Sequence, residues 1–197
     1  MFKLNPYDKV NLKYAWFALI ILSILNLINY ADRSIFNALM DPIKAQFALS
    51  DLQLGWLASS FLLVYAIATY PFARLADKGS RKLVLIIGVM VWSVATFFTG
   101  LSKSFWHLLF ARAILGIGEA SYATTLAPLI SDYFPRSLRS TALSFANAPL
   151  GLGTALGYYV GGFSMHNFGW RQAFFFLGIP GIIFGIVTIF LREPVKG

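Results

Sequence analysis

Six apolar stretches divide this chain of 197 residues, and each is close to the ~20 residues that a helix needs to cross the hydrocarbon core of a bilayer. Because lipid offers the backbone no hydrogen-bond partners, each stretch is predicted to be a helix. The sequence therefore predicts an all-α membrane fold, with a six-helix bundle at 14–191, a tail at 1–13 and the start of a linker or second tail at 192–197. The predicted spans are 14–36, 54–73, 83–101, 106–130, 141–162 and 170–191.

The composition excludes several other classes of protein. Hydrophobic residues make up 58% of the chain and charged residues only 12%, whereas about a quarter of a typical soluble domain is charged. The chain has no cysteine, so it can form neither a disulfide nor a thiolate metal site. The net charge of +8 lies in short basic clusters between the apolar stretches, a pattern that favours membrane orientation over nucleic-acid binding.

The distribution of lysine and arginine predicts which side of the membrane is cytoplasmic. The tails and the second and fourth loops carry eleven of these residues, and the other loops carry three. Because cytoplasmic segments carry an excess of Lys and Arg, both termini are predicted to be cytoplasmic, in a multi-pass protein of a cytoplasmic or inner membrane. The larger group is Lys3, Lys9, Lys13, Arg74, Lys78, Arg81, Lys82, Arg136, Arg139, Arg192 and Lys196, and the smaller is Lys44, Lys103 and Arg171.

Four charged residues lie inside the predicted spans: Asp32, Arg33, Arg112 and Glu119. A charge at the bilayer centre costs on the order of 3 kcal/mol, so such residues usually face the bundle interior or a water-filled cavity and usually serve function. Arg112 and Glu119 are two turns apart on one helix face, and Asp32 and Arg112 are predicted to lie at similar depth. We therefore expect Asp32 to pair with Arg112 in one conformation. A structural ion pair that holds two helices together is the alternative.

Two polar neighbours extend this group into a stripe. Asn29 precedes Asp32 by one turn, and Tyr122 follows Glu119 by one turn. They are candidates for substrate binding, and interhelical hydrogen bonding is an equally good interpretation. Burial favours the neutral form of a carboxylic acid and a nearby arginine favours the charged form, so a movement of Arg112 can load or release a proton. The charged group is therefore a candidate for proton coupling.

Three glycines repeat every four residues in the fifth predicted span, at Gly153, Gly157 and Gly161. Such a strip of small residues allows two helix backbones to approach closely, so static packing is the favoured interpretation and a sliding surface is the alternative.

No residues indicate an enzyme. His107 and His166 have no carboxylate or cysteine at metal-ligand spacing, and Gly116 and Gly118 lie within a predicted membrane helix rather than in a nucleotide-binding loop. We therefore expect no catalytic residue, metal or cofactor.

Three motifs carry a resemblance to the major facilitator superfamily. The loop ARLADKGSRK at 73–82 resembles its G-x-L-x-D-(R/K)-x-G-R-(R/K) signature, with alanine at the first glycine position, and RAILGIGEA at 112–120 resembles R-x-x-x-G-x-G-E-A. NYADR at 29–33 resembles the Spinster branch and the anion:cation symporter branch, and EASY at 119–122 with APLISDYFP at 127–135 favours Spinster. The likeness covers about residues 14–194 and implies one six-helix half of a two-half transporter.

The resemblance also implies roles and partners. Asp32 and Glu119 match proton-coupling sites with Arg33 and Arg112 beside them, and Asp77, Arg81 and Asp132 match a cytoplasmic charge network that latches one conformation. The expected substrate is a lipid-like anionic amphiphile on the Spinster interpretation, or a small organic anion such as a sugar acid on the other. A second six-helix half, either a missing C-terminal half or a second copy, is the expected partner. A non-transporting membrane scaffold is a further alternative.

One departure leaves the direction of coupling open. The antiporter motif of the superfamily ends G-P-x-x-G-G, and Tyr158 stands here in the position of the proline. Symport and antiport therefore both remain as interpretations.

Overall fold

The computed structural model describes residues 11–194. Most of the predicted tail at 1–13 and the last residues, with Lys3, Lys9 and Lys196, lie outside this described part. The described chain forms eight helices: α1 (Leu12–Ala38), α2 (Met40–Phe47), α3 (Asp51–Lys78), α4 (Arg81–Gly100), α5 (Phe105–Tyr133), α6 (Arg139–Asn147), α7 (Pro149–Asn167) and α8 (Trp170–Ile189).

Five of these helices are long and apolar enough to cross a membrane: α1, α3, α4, α5 and α8. They coincide with five of the six predicted spans, and most extend a few residues beyond the predicted bounds. Side-chain caps explain several of these longer starts. Asn11 accepts from the first-turn amides of α1, Ser80 and Ser104 cap α4 and α5, and Ser50 forms a capping box with Gln53 at the start of α3.

The predicted fifth span, 141–162, is divided into α6 and α7, so the count of six continuous helices needs correction. Pro149 starts α7, because a proline has no N–H to donate to the preceding turn and is tolerated at a first helical position. Ala148 between them keeps right-handed helical angles, with φ −54° and ψ −35°, so the junction is a kink rather than a loop. The short α2, which the sequence did not predict, follows α1 after Leu39.

The closest packing of the helices is between four pairs. α5 packs against α3 and α4, α1 packs against α7, and α4 packs against α8. α1 and α5 approach each other much less closely along their backbones than α1 and α7 do. The space between α1 and α5 is therefore filled by side chains, and this is where the predicted charged residues lie.

The glycine strip of α7 faces α1. A methyl group added at Gly157 would lie 2.8 Å from Cβ of Ser34 and closer still to the carbonyl oxygen of Ala31, and one added at Gly161 would lie 3.0 Å from Cβ of Ala38. Gly162, on the same helix, has nothing within 4 Å of such a methyl group. The strip is thus a close-packed contact between two helix backbones.

We expect Gly157→Ala to lower the thermal unfolding temperature in detergent, because overpacking a tight contact typically costs about 1–3 kcal/mol. Gly162→Ala is the matched control, since it removes a glycine from the same helix where the space is open. It should leave the unfolding temperature unchanged or raise it, because alanine is the better helix former by about 1 kcal/mol. Equal behaviour of the two variants would contradict the packing role.

Candidate functional site

The four predicted intramembrane charges converge between α1 and α5. Asp32, Arg112 and Glu119 are buried, and only the Arg33 side chain keeps appreciable exposure, at 31%. Nε of Arg33 donates to Oε2 of Glu119 at 2.5 Å and forms an ion pair between the two helices, of which the carboxylate is the fully buried partner. The cluster contains two carboxylates and two guanidinium groups, so its formal charge is balanced.

Asp32 does not pair with Arg112 in this conformation, so the expected pair is not the one that forms. Oδ2 of Asp32 accepts instead from the hydroxyl of Thr96 on α4, at 3.1 Å. The physical reason is the helical advance of 100° per residue, which turns Asp32 towards α4 when its neighbour Arg33 faces α5. The depth of Asp32 was predicted from the span, but its direction around the helix was not.

Arg112 is held by aromatic rings rather than by an acid. Its guanidinium lies 4.1 Å from the ring centroid of Phe36 and 4.7 Å from that of Phe61. These cation–π contacts stabilise a desolvated cation without neutralising it. Arg112 therefore remains a fixed positive charge beside the two carboxylates.

Within residues 11–194, four buried atoms of this cluster make no hydrogen bond of ordinary geometry, although Asn29 lies beside Glu119 and interacts with its carboxylate. They are Oδ1 of Asp32, Oε1 of Glu119, Nε of Arg112 and Nδ2 of Asn29. A buried polar group left without a partner costs about 1–3 kcal/mol, so the two carboxylate oxygens favour a proton or another donor, and the two N–H groups favour an acceptor atom of a water or a ligand. The cluster can therefore bind a further polar group.

A cavity of about 210 Å³ borders the cluster between α1, α3, α5 and α6. Arg33 is the charged residue of its wall, and its guanidinium lies 5.1 Å from the ring centroid of Tyr65 and 5.4 Å from that of Tyr30. One part of the wall presents amides and phenols, and another part is aliphatic. The lining residues are Asn26, Asn29, Tyr30, Arg33, Tyr65, Tyr122, Ala123, Leu126, Ala127, Leu143 and Asn147.

Both polar neighbours predicted from spacing line the cavity. Tyr122 lines the cavity, but its hydroxyl donates to the carbonyl oxygen of Leu22 at 2.8 Å and its ring packs edge-on against Trp92. This is the interhelical hydrogen bond that was the alternative interpretation. Asn29 lines the cavity beside Glu119.

Sequence reasoning did not identify four residues of this region: Asn26, Tyr30, Tyr65 and Thr96. Tyr30 lies within the NYADR motif and Asn26 is one turn before it, so both had a detectable signal. Tyr65 and Thr96 lie in apolar stretches without a motif, and only the packing of α3 and α4 brings them to the site.

The three residues of the predicted cytoplasmic network come together at the ends of α3, α4 and α5. Arg81 donates to the carboxylate of Asp132, and its guanidinium also lies 4.0 Å from the carboxylate of Asp77. The hydroxyl of Ser80 donates to the carboxylate of Glu193 at 2.6 Å. This hydrogen bond joins the segment after α8 to the same end of the bundle.

The chain matches the Major Facilitator Superfamily over residues 22–197 and belongs to that family. It is similar to Protein spinster of Drosophila melanogaster, with 33% identity over 92% of this chain and 30% of the relative. It is also similar to the sphingosine-1-phosphate transporter SPNS2 of Mus musculus, with 33% identity over 89% of this chain and 33% of the relative. The chain thus spans about a third of the length of these two curated relatives, the second of which is named a transporter.

Solved structures give the same family. A bacterial homologue of the human lysosomal transporter Spinster, in an inward-facing and unoccupied conformation, superposes with a TM-score of 0.85 and 29% identity over 93% of this chain and 44% of that one. The same kind of homologue in an inward-facing and occupied conformation gives a TM-score of 0.83 over 99% of this chain and 46% of that one. The resemblance read from the motifs is confirmed.

We expect Arg33→Met to lower the free energy of unfolding by about 3 kcal/mol, the low end for breaking a buried pair, because it leaves Glu119 without its counter-charge. The double variant Arg33→Met/Glu119→Gln should recover part of this loss, since no buried charge is then left unpaired. The measurement is thermal unfolding in detergent, where ~3 kcal/mol corresponds to a shift on the order of 10 °C.

Lys44→Gln is the control for this pair. It breaks the exposed pair between Lys44 and Asp51 and should change stability by less than about 1 kcal/mol. An effect of Arg33→Met no larger than that of Lys44→Gln would show that the Arg33–Glu119 pair is not needed for stability.

Proposed function

We propose that this chain is the N-terminal six-helix half of a proton-coupled secondary transporter that moves a lipid-like anion by alternating access. The observation that carries this proposal is the buried Arg33–Glu119 pair on the border of the cavity. A scaffold protein would gain nothing from four charged residues within its predicted membrane spans, whereas a transporter needs charged groups that exchange partners during its cycle.

The cavity wall suits an anionic amphiphile. Arg33 can bind a phosphate or carboxylate, Asn29 and Tyr30 can donate hydrogen bonds, and Leu126 and Leu143 offer an apolar surface for a chain. The names of relatives, such as the sphingosine-1-phosphate transporter SPNS2 of Mus musculus, support a lipid-like substrate. A small organic anion would use the same arginine but would leave the aliphatic part of the wall without a contact.

In the proposed mechanism, the substrate anion and the carboxylate of Glu119 compete for the guanidinium of Arg33, and this competition couples substrate binding to protonation. When the substrate anion takes the guanidinium, Glu119 is left buried and without its counter-charge, which favours its neutral, protonated form. Asp32, held only by a neutral hydroxyl, is the second candidate to carry a proton. Arg112 remains as the fixed charge that limits how strongly either acid holds that proton.

A second half is proposed to complete the cavity. Only 17% of the apolar window of α3 is buried within this chain, whereas 61% is buried for α1 and α5. The two superfamily halves are parallel repeats that meet around a midplane site, so α3 and α7 are the surfaces we expect the partner to cover. A missing C-terminal half fits better than a second copy, because two copies would place like charges opposite each other.

The topology proposed for this half has six crossings, with α6 and α7 forming one kinked crossing of 139–167, and both termini cytoplasmic. Ala148 keeps right-handed helical angles between α6 and α7, which supports one continuous crossing. In this orientation the network of Asp77, Arg81 and Asp132 lies on the cytoplasmic side and acts as a latch.

We expect Glu119→Gln and Asp32→Asn, each made in the complete transporter in proteoliposomes, to abolish uptake driven by a proton gradient while leaving expression intact. The probe substrates are a lysophospholipid, a sphingoid phosphate and a sugar acid. Asp51→Asn is the control, since it removes an exposed carboxylate outside the cluster. If both variants still concentrate substrate under a proton gradient, neither acid carries the coupled proton.

The latch can be tested by labelling, because the chain has no cysteine of its own. Leu143→Cys places a single thiol on the cavity wall. We expect Asp132→Asn in this background to increase the rate of labelling by a membrane-impermeant maleimide from the cytoplasmic side several-fold, since the latch would then open more often.

Arg74→Gln is the matched control for the latch, because it removes an arginine from the same end of α3 that contacts the Tyr70 ring instead of the network. It should leave the labelling rate unchanged. Equal rates in the Asp132 variant and its parent would exclude the proposed latch.

A further inference from the structure

A second, larger recess lies between the C-terminal part of α4 and the N-terminal part of α5, with a volume of about 720 Å³. It shares no lining residue with the cavity beside Arg33 and lies at the end of α4 opposite to Arg81. Its walls are exposed and apolar: Phe98, Phe110 and Ile114 are 57%, 62% and 45% exposed. The volume is within the range that holds a small-molecule ligand, so this groove can accept an apolar chain.

The rim of the groove carries hydrogen-bond donors and positive charge. Lys103 and His107 both line it and are exposed. The backbone N–H of Lys103 donates to Nδ1 of His107 at 3.3 Å. An Nδ1 that accepts a hydrogen bond leaves the ring hydrogen on Nε2, so His107 presents an N–H donor to its surroundings.

Two further features favour an anion at this rim. The first turn of α5, which begins at Phe105, adds the partial positive charge of a helix N-terminus. None of the groove-lining residues, all within the described part of the chain, is an aspartate or glutamate. A cationic rim on an apolar groove is the chemical pattern of a site for an anionic amphiphile.

We propose that this groove binds an anionic membrane phospholipid, with its phosphate at Lys103 and His107 and one acyl chain along Phe98, Phe110 and Ile114. Trp106, 62% exposed next to this rim, is the kind of residue that lies at the level of lipid headgroups. A helix from a partner protein could cover the apolar walls, but it would need its own acid to satisfy the cation. A bilayer supplies both parts in one molecule.

Native mass spectrometry of the purified protein in detergent tests this site, with phosphatidylglycerol as the probe and phosphatidylcholine as the zwitterionic comparison. We expect phosphatidylglycerol to be retained in preference to phosphatidylcholine. Lys103→Gln should weaken its retention about fivefold, the effect expected for one lysine near an anionic lipid surface. Ile114→Trp, which fills the groove, should reduce retention of both lipids.

Lys44→Gln is the control, because it removes another lysine next to α3 that is already paired with Asp51 and does not line the groove. It should leave retention unchanged. Equal retention of the two lipids, an equal effect of Lys44→Gln and Lys103→Gln, or equally tight binding of glycerol phosphate without acyl chains would each overturn the proposal. So would a complete transporter in which a second half excludes lipid from the groove. None of these outcomes bears on proton coupling, which depends on the other cavity.

Discussion

The pairing of Arg33 with Glu119 inside an apolar bundle is the constraint on which the rest of the structure depends. A charge in hydrocarbon is tolerated only where it meets a counter-charge or faces a cavity, so α1 and α5 must present their polar faces to each other. Those faces cannot also be close-packed backbone contacts. Close packing of backbones occurs instead on other sides of these helices, where Gly157 of α7 contacts α1 and Gly118 of α5 contacts α4.

The same pair explains why the site can change its state. A buried ion pair gains Coulombic energy but loses the hydration of both charges, so its net contribution is often close to zero although breaking it on one side is costly. In the proposed cycle, a substrate anion that replaces Glu119 at Arg33 leaves that carboxylate buried without its counter-charge, so the exchange has a small net cost only if Glu119 takes up a proton at the same time. The unpaired atoms of Asp32, Glu119 and Arg112 show that the cluster has hydrogen-bonding capacity to spare during such an exchange.

The sequence predicted the spans better than it predicted the contacts between them. Apolar stretches predicted the five helices that are long and apolar enough to cross a membrane, because a crossing requires about 20 apolar residues whatever the neighbouring helices are. Pro149 was hidden inside such a run, so the division of α6 from α7 was not predicted. Spacing predicted that the charges of α1 and α5 face each other, and the Arg33–Glu119 pair joins these two helices, but the partner of Asp32 depends on the packing of α4, through Thr96.

Different faces of α1 contribute to the close packing with α7, to the contact with α4 and to the wall of the cavity. Residues 27, 31, 34 and 38 face the glycine strip of α7, and Asp32 faces α4. The cavity face carries Asn26, Asn29 and Arg33, at the three- and four-residue spacing of one helix side. Asn26 also donates to the carbonyl oxygen of Ala146 at 2.8 Å, next to the kink before Pro149. A rotation of α1 would therefore change the ion pair, the cavity wall and the kink together, which links the charge state of the site to the shape of the bundle.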